Sequence, residues 1–165
     1  MGVTTFTFES ASDDWTAKDS DFSTSTLQDT SSSVCSQQGF YYGVWGRFGG
    51  DFYAQPVIQS DNTLTMSSIT VYFESDKGDY SNPPLGSEVV VKYSSSTSGP
   101  WTGGSSNQFG TQQTFNSDGC QSVVITDDLI TSQYIRVYVQ TGGADNTVST
   151  KIYKVEISDG GPTFY

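Results

Sequence analysis

The stretch YIRVYVQTGGADNTVSTKIYKVEIS, residues 134–158, contains two segments in which apolar and polar residues alternate. The apolar positions are Ile135, Val137 and Val139 in the first segment, and Tyr153, Val155 and Ile157 in the second. A period of two is that of a β-strand with one buried face. The loop between the segments, residues 141–146, is rich in turn-forming residues. The stretch therefore predicts a β-hairpin whose apolar face is covered by another layer of the protein.

The same alternation recurs along most of the chain. The further candidate strands are residues 3–8, 39–45, 52–58, 66–74, 88–93, 109–115 and 121–126. The predicted core consists of Ile69, Val71, Phe73, Val89, Val91, Ile135, Val137, Val139, Val155 and Ile157. Tyr72, Tyr134 and Tyr138 lie on the opposite strand faces. About nine strands with one apolar face each are buried most simply by two packed antiparallel sheets.

The composition also favours β-structure. Aromatic residues make up 14% of the chain and charged residues only 15%, while Ser, Thr, Gly and Asn are abundant. Ser and Thr occupy strand faces and turns and do not favour helix. Residues 127–130 are predicted to form one short turn at most. A chain of 165 residues buries a core as one unit, and no repeat or linker divides it, so residues 1–165 are predicted to form a single β-sandwich domain.

The charge balance limits the classes of partner. The net charge is −11, from seven basic and eighteen acidic residues. An acidic surface repels phosphate backbones and anionic lipid, so we expect neither nucleic-acid binding nor membrane insertion. No apolar run of about 18 residues is present, and the N-terminal residues form no signal peptide.

The two cysteines, Cys35 and Cys120, lie far apart in the sequence. A disulfide between them would close a long loop and contribute roughly 4 kcal/mol in the chain-entropy model. The alternative is a pair of buried free thiols that pack as small apolar groups. A zinc site is excluded, because the chain has no histidine and no third cysteine.

Several short segments resemble one class of β-sandwich. They are FTFE (6–9) followed by Trp15, EVVVKYSS (88–95) with GPWT (99–102), YIRVYV (134–139) and YKVEI (153–157). This set is similar to jelly-roll modules of the MAM and galactose-binding-like, carbohydrate-binding-module-like kind. The resemblance implies an all-β, antiparallel two-sheet jelly-roll β-sandwich, in which the last two segments are the final two strands.

The resemblance also raises the question of a structural Ca²⁺ ion. Such jelly rolls often hold calcium between an N-terminal glutamate and an aspartate close to the last strand. Glu9 matches the first position, but Lys154 occupies the second, and its ammonium group does not bind a cation. A separate acidic segment offers the hard oxygen ligands of Glu74, Asp76 and Asp79. The alternative for these residues is an ordinary acidic surface loop.

The sequence does not predict an enzyme. Without histidine, the Ser-His-Asp and Cys-His arrangements are excluded. Carboxylates occur as sequence neighbours, Asp13 with Asp14 and Asp127 with Asp128. Neighbouring side chains in a strand or turn point apart, so these pairs are poor candidates for a glycosidase site.

A cluster of aromatic residues is the candidate binding face. It comprises Tyr41, Tyr42, Trp45, Arg47, Phe48 and Tyr53. Aromatic rings flanked by polar groups stack on sugars, which makes these residues candidate glycan contacts. Two alternatives are that the rings belong to the core or that they contact a protein partner.

Two functions are consistent with these features. The first is a structural or adhesive protein of a homo- or hetero-oligomeric extracellular assembly, most plausibly a phage virion surface or capsid decoration protein. Virion proteins combine an exposed, acidic, Ser- and Thr-rich composition with the lack of a signal, because they assemble before lysis. The second is a carbohydrate-binding jelly-roll module of a secreted enzyme or adhesin. For the assembly, the turn-forming residues 160–162 carry Phe164 and Tyr165 beyond the last strand, where we expect them to contact a partner subunit; the alternative is a groove of the same chain.

Overall fold

A computed structural model provides the fold of this chain. It describes residues 2–8, 15–18, 26–28, 35, 37–44, 51–60, 62–76, 87–96, 99, 101, 107–144 and 148–160. Within these ranges the regular structure is entirely β-strand. The strands are β1 (Val3–Thr7), β2 (Trp15–Lys18), β3 (Thr26–Gln28), β4 (Gly39–Val44), β5 (Asp51–Ala54), β6 (Val57–Ser60), β7 (Leu64–Asp76), β8 (Ser87–Ser94), β9 (Gln108–Phe115), β10 (Gly119–Ser132), β11 (Tyr134–Ala144) and β12 (Val148–Ser158).

These strands form two six-stranded sheets. The first sheet has the strand order β10-β7-β12-β4-β3, and β1 also pairs with β12. The second sheet has the order β2-β6-β11-β8-β9, and β5 also pairs with β11. All the pairings between described strands are antiparallel. The predicted fold class, an all-β jelly-roll sandwich of two antiparallel sheets, is therefore confirmed.

The predicted hairpin over residues 134–158 is wrong. Strand β11 pairs with β8 in the second sheet, and β12 pairs with β7 in the first. The two alternating segments therefore lie in opposite layers and cover each other's apolar faces across the core. Where β11 and β12 approach each other, Thr150 Oγ1 donates a hydrogen bond to Thr141 Oγ1 at 2.5 Å. Alternation identifies the buried face of a strand, but it does not identify the strand's hydrogen-bonding neighbour.

The described residues contain twelve strands where nine were predicted. The short strands β2 and β3 fall in a polar region for which no strand was predicted. The predicted strand 52–58 is divided at Gln55 and Pro56, since proline has no N–H with which to continue a ladder. Both resulting strands still pair with β11.

Residues 127–130 also differ from the prediction of a turn. They belong to β10, which continues past a register shift between Thr126 and Ile130 and pairs with β7 as far as Ser132. The irregularity accommodates the polar residues of this segment, and the hydrogen-bonded pairing with β7 continues on either side of it.

The core lies between the sheets. All ten predicted core residues are buried, with exposed fractions of 3% or less. Aromatic residues from outside that prediction extend the core: the ring centroids of Phe8 and Phe40 lie 5.0 Å apart, and those of Phe8 and Trp15 lie 5.9 Å apart. The strands on both sides are thereby held by one continuous apolar cluster.

The two cysteines form a disulfide between Cys35 and Cys120. Cys120 lies at the start of β10, opposite Glu74 of β7. The Glu74 carboxylate accepts a hydrogen bond from the backbone N–H of Cys35 at 2.9 Å and lies 3.9 Å from Nζ of the buried Lys151. Lys151 also donates a hydrogen bond to the backbone carbonyl of Gln37. The disulfide and the hydrogen bonds of Glu74 with Cys35 and of Lys151 with Gln37 fasten the segment before β4 to the first sheet.

Candidate functional site

The outward face of the second sheet carries a row of polar and aromatic side chains. Strands β8 and β11 alternate buried residues with half-buried residues that point away from the core. Their outward residues form three adjacent cross-strand pairs: Arg136 with Lys92, Tyr138 with Val90, and Gln140 with Glu88. Such directly opposed side chains are close enough to act together on one ligand.

A cavity of about 350 Å³ lies over these pairs. Every residue of the three pairs except Arg136 lines it, and Gln55, Trp101, Gln108 and Gln112 complete the described lining. The lining thus combines the half-buried Tyr138 ring and the small exposed part of the Trp101 ring, which is 7% exposed, with several amide and charged groups. Concave sites that bind small molecules have this combination of apolar contact area and a few orienting polar groups.

Arg136 supports the aromatic wall of this cavity. Its guanidinium carbon lies 4.5 Å from the centroid of the Trp101 ring, which is the geometry of a cation–π contact. Its Nη2 donates a hydrogen bond to the Gln59 side chain at 2.9 Å, and its Nη1 donates one to the Tyr138 hydroxyl at 3.4 Å. Gln59 is fully buried. These contacts hold the guanidinium, Trp101 and Tyr138 in one arrangement.

The outward face of the first sheet carries a second polar cluster. The Lys154 Nζ lies 4.1 Å from the centroid of the Tyr72 ring and 3.4 Å from Oε1 of Glu156. The Tyr72 ring also lies near Tyr153, with centroids 6.3 Å apart. The nearby Glu156 carboxylate, with a smaller effect of burial, favours the protonated hydroxyl and raises the pKa of Tyr72 above its usual value of 10.0. This cluster stabilises neighbouring strands on the face opposite the cavity.

The raised pKa of Tyr72 makes a testable prediction. Because the folded-state pKa is raised, the stabilising effect of the interaction with Glu156 is full below the unfolded pKa of 10.0 and is lost as the pH rises through the folded value. Glu156→Gln removes the carboxylate charge, so the pKa of Tyr72 should fall towards its usual value. The difference in phenolate absorbance between each protein and its Tyr72→Phe counterpart isolates this titration. Glu88→Gln, on the other sheet, should leave it unchanged; a Tyr72 pKa that does not respond to Glu156→Gln would show that Glu156 does not raise it.

Two residues of the predicted aromatic binding face, Tyr41 and Tyr42, are not among the described residues that line the cavity. Tyr41 and Tyr42 are in β4 of the first sheet. Tyr42 is 4% exposed and packs with Ala54 and Val148, so it is a core residue rather than a contact residue. Trp45, Arg47 and Phe48 lie outside the described residues, as do Phe164 and Tyr165 of the predicted assembly contact. Tyr53 falls in β5, but its side chain is not among those described.

The acidic residues proposed for calcium are only partly described. Glu9 and Asp79 lie outside the described ranges, and Asp76 is exposed at the end of β7. The Glu74 carboxylate contacts the Cys35 N–H and lies near Lys151, both of which are electropositive. Burial lowers the pKa of Lys151, and the Glu74 charge opposes this effect. Calcium binding stays a prediction.

Of the two pairs of carboxylates that are neighbours in the sequence, the structure describes one, Asp127 with Asp128. Asp127 accepts hydrogen bonds from the backbone N–H groups of Gly110 and Asp128, each at 2.7 Å. Asp127 therefore joins β9 to β10 and has a structural role. Asp13 and Asp14 lie outside the described residues.

The residues of the cavity were not predicted as a site. Tyr138 was recognised as outward-facing, and the same alternation places Lys92, Arg136 and Gln140 on that face. The sequence signal was therefore present within each strand. What it lacked was the pairing of β11 with β8, which brings the two outward rows together.

Comparisons with known proteins identify similar structures but no similar sequences. No protein-family model and no curated protein sequence matches this chain. The solved structures of similar shape include TmCBM61, a carbohydrate-binding module in complex with β-1,4-galactotriose, at 13% identity over 87% of each chain with a TM-score of 0.50. They also include the winged bean acidic lectin in complex with methyl-α-D-galactose (11% identity, 94% of this chain and 98% of that chain, TM-score 0.49).

A third similar structure is the Agl-KA catalytic domain, with 14% identity over 100% of this chain and 29% of that chain, and a TM-score of 0.49. The last two TM-scores fall below 0.5, the level from which we infer a shared fold. The similarity to TmCBM61 extends over most of both chains. At 13% identity, this similarity concerns the fold alone. The chain has the jelly-roll β-sandwich fold found in this carbohydrate-binding module.

Proposed function

We propose that this protein is a non-catalytic carbohydrate-binding domain whose ligand occupies the cavity on the second sheet. The observation that carries the proposal is the cavity itself, in which Trp101 and Tyr138 adjoin amide side chains that donate and accept hydrogen bonds. A sugar offers apolar C–H faces and a ring of hydroxyl groups, and this lining complements both. The ligand bound in the TmCBM61 structure, β-1,4-galactotriose, supports the same class of ligand.

The lining also supports a binding role rather than hydrolysis. Glu88 is the one carboxylate among the described lining residues. Glycosidases use a pair of carboxyl groups, one as the acid and one as the base or nucleophile. The chain has no histidine that would serve in its place.

An extracellular location is part of this proposal. Disulfides form and persist mainly in oxidising compartments, and the Cys35–Cys120 bond fits such a compartment. Nowhere in the described ranges is there a helix long and apolar enough to cross a bilayer. The predicted virion or decoration role rests on composition and on Phe164 and Tyr165, which lie outside those ranges, and it stays a prediction.

The proposal is tested by titrating the protein with a panel of neutral and acidic oligosaccharides in a calorimeter. We expect saturable binding, and we expect Tyr138→Ala to weaken it by about tenfold or more, as the loss of a central aromatic contact does. Tyr134→Ala is the matched control, because Tyr134 lies on the same face of β11 and does not line the cavity. Absence of binding across the panel, or equal affinity of the Tyr138→Ala and parent proteins, would refute the proposed function.

A further inference from the structure

Two cations lie side by side at one end of the cavity. Gln108, Lys92, Arg136 and Gln59 are consecutive cross-strand partners over β9, β8, β11 and β6. We call these four residues the cationic row. Like charges on directly opposed positions of an antiparallel pair destabilise it. The protein places them there although it has only seven basic residues and a net charge of −11.

The charge of Arg136 is matched only by neutral groups among the described residues. Its contacts are the Gln59 amide oxygen, the Tyr138 hydroxyl and the Trp101 ring. Its Nε is buried without a hydrogen-bond partner. These contacts orient the guanidinium, but none of them neutralises it. A positively charged group held in this way raises the electrostatic potential at the adjoining end of the cavity.

The opposite end of the cavity has the opposite character. Glu88 lies four residues before Lys92 on β8, on the same face of the strand. At the rise of a β-strand this separation is about 13 Å. Gln140 lies opposite Glu88 and is also in the lining. The cavity is therefore polarised along the strands, with its cations at the Trp101 end.

We propose that the cavity prefers acidic glycans and binds an anionic substituent of the sugar, a uronate carboxylate or a sulfate ester, at the cationic row. This inference rests on the proposed carbohydrate-binding function and names the class of its ligand. Lys92 lines the cavity and donates to the anion, while Arg136 acts from behind it and keeps Trp101 and Tyr138 in position. Gln108 completes the polar contacts at this end. The anion lies at the positively charged end of the cavity, and the rest of the sugar lies against the aromatic wall.

The test compares acidic ligands with their methyl esters, which lack the charge and carry one added methyl group at each carboxyl. Oligogalacturonate and its methyl ester share ring and linkage, and the ester has no charge. We expect the acid to bind about tenfold more tightly than the ester, since a charge-assisted hydrogen bond is replaced by a neutral one. Added salt should reduce the ratio, because exposed charges are screened. Oligoglucuronate and its ester form a second such pair, and a sulfated galactan with its desulfated form distinguishes sulfate from carboxylate as the recognised group.

Variants test which residue of the protein produces the preference for acidic glycans. Lys92→Gln should reduce the acid-to-ester affinity ratio by about fivefold or more, as the loss of a charged donor does, and Lys92→Arg should retain most of it. Lys154→Gln is the matched control, because it removes the same charge from the first sheet. Preference for either uronate or sulfate that depends on Lys92 supports the inference.

The outcomes separate the two proposals. Binding of neutral and acidic partners with equal affinity overturns the acidic preference and leaves the carbohydrate-binding function standing. A preference that Lys154→Gln reduces as much as Lys92→Gln also overturns it, because the effect then follows net charge. Absence of binding to every glycan overturns both.

Discussion

Replacing Val137 with aspartate is expected to unfold this protein in water at 25 °C. Val137 is fully buried in β11, where it lies opposite Val91 of β8 and Ile58 of β6. The substitution places a carboxylate between the sheets with no partner, which costs several kcal/mol in addition to the lost apolar contact. A small domain is stable by about 5–15 kcal/mol in total. Urea unfolding followed by circular dichroism should show little or no native baseline for Val137→Asp.

The matched control is Val124→Asp. Val124 lies in β10 of the first sheet and is 52% exposed. The same change of side chain at this position leaves the carboxylate in water, so we expect a loss of less than about 1 kcal/mol, the span of strand propensities. A Val137→Asp protein with the parent's unfolding midpoint would mean that β11 does not bury this face.

Removal of the disulfide is expected to produce the second-largest effect. The bond joins residues separated by 85 positions, so it restricts a long loop of the unfolded chain. Loop-closure arguments and measured disulfide removals give a loss of about 2–5 kcal/mol for such a bond. We expect the Cys35→Ala, Cys120→Ala protein to fold with a much lower urea midpoint. Its m-value should rise, because the unfolded chain without a crosslink exposes more surface.

Two measurements distinguish the effect of losing the disulfide crosslink from the effect of replacing the two cysteine side chains. Reduced parent protein should unfold at nearly the same urea concentration as the double variant, because both lack the crosslink. A thiol reagent should find no reactive cysteine in the unreduced protein after denaturation. An unchanged midpoint in the double variant, or free thiols in the denatured parent, would contradict the disulfide.

Local sequence patterns were sufficient to predict the buried faces of the main strands. The alternation around Val71, Val91 and Val137 correctly predicted buried faces, because the period of a strand is a property of its own backbone. The fold class followed, since many strands with one apolar face require two layers. The same local reasoning did not detect β2, whose Trp15 is buried by contact with Phe6 and Phe8. That burial depends on packing between the two sheets, because Phe6 lies in β1 of the first sheet and Trp15 lies in β2 of the second.

The candidate site shows the limit of such patterns. The alternation assigned Tyr138 to the outward face, but nothing within the strand indicated that its neighbour would be β8. The aromatic-rich segment was the more conspicuous candidate, yet Tyr42 is buried by Ala54 and Val148. An aromatic ring has the same sequence signature in a core and in a binding site. Its surroundings distinguish the two roles.

By itself, the sequence determined the buried face of each main strand, the two-layer β-architecture and the acidic, histidine-free character that disfavours common catalytic sites. Only the tertiary structure decided that β11 and β12 lie in different sheets, that Cys35 meets Cys120, and that Lys92 lies beside Arg136. The physical reason is the range of the interactions. Strand periodicity arises from adjacent residues, whereas pairing between strands is selected by packing over the whole core, and a functional site on a sheet consists of residues from several paired strands.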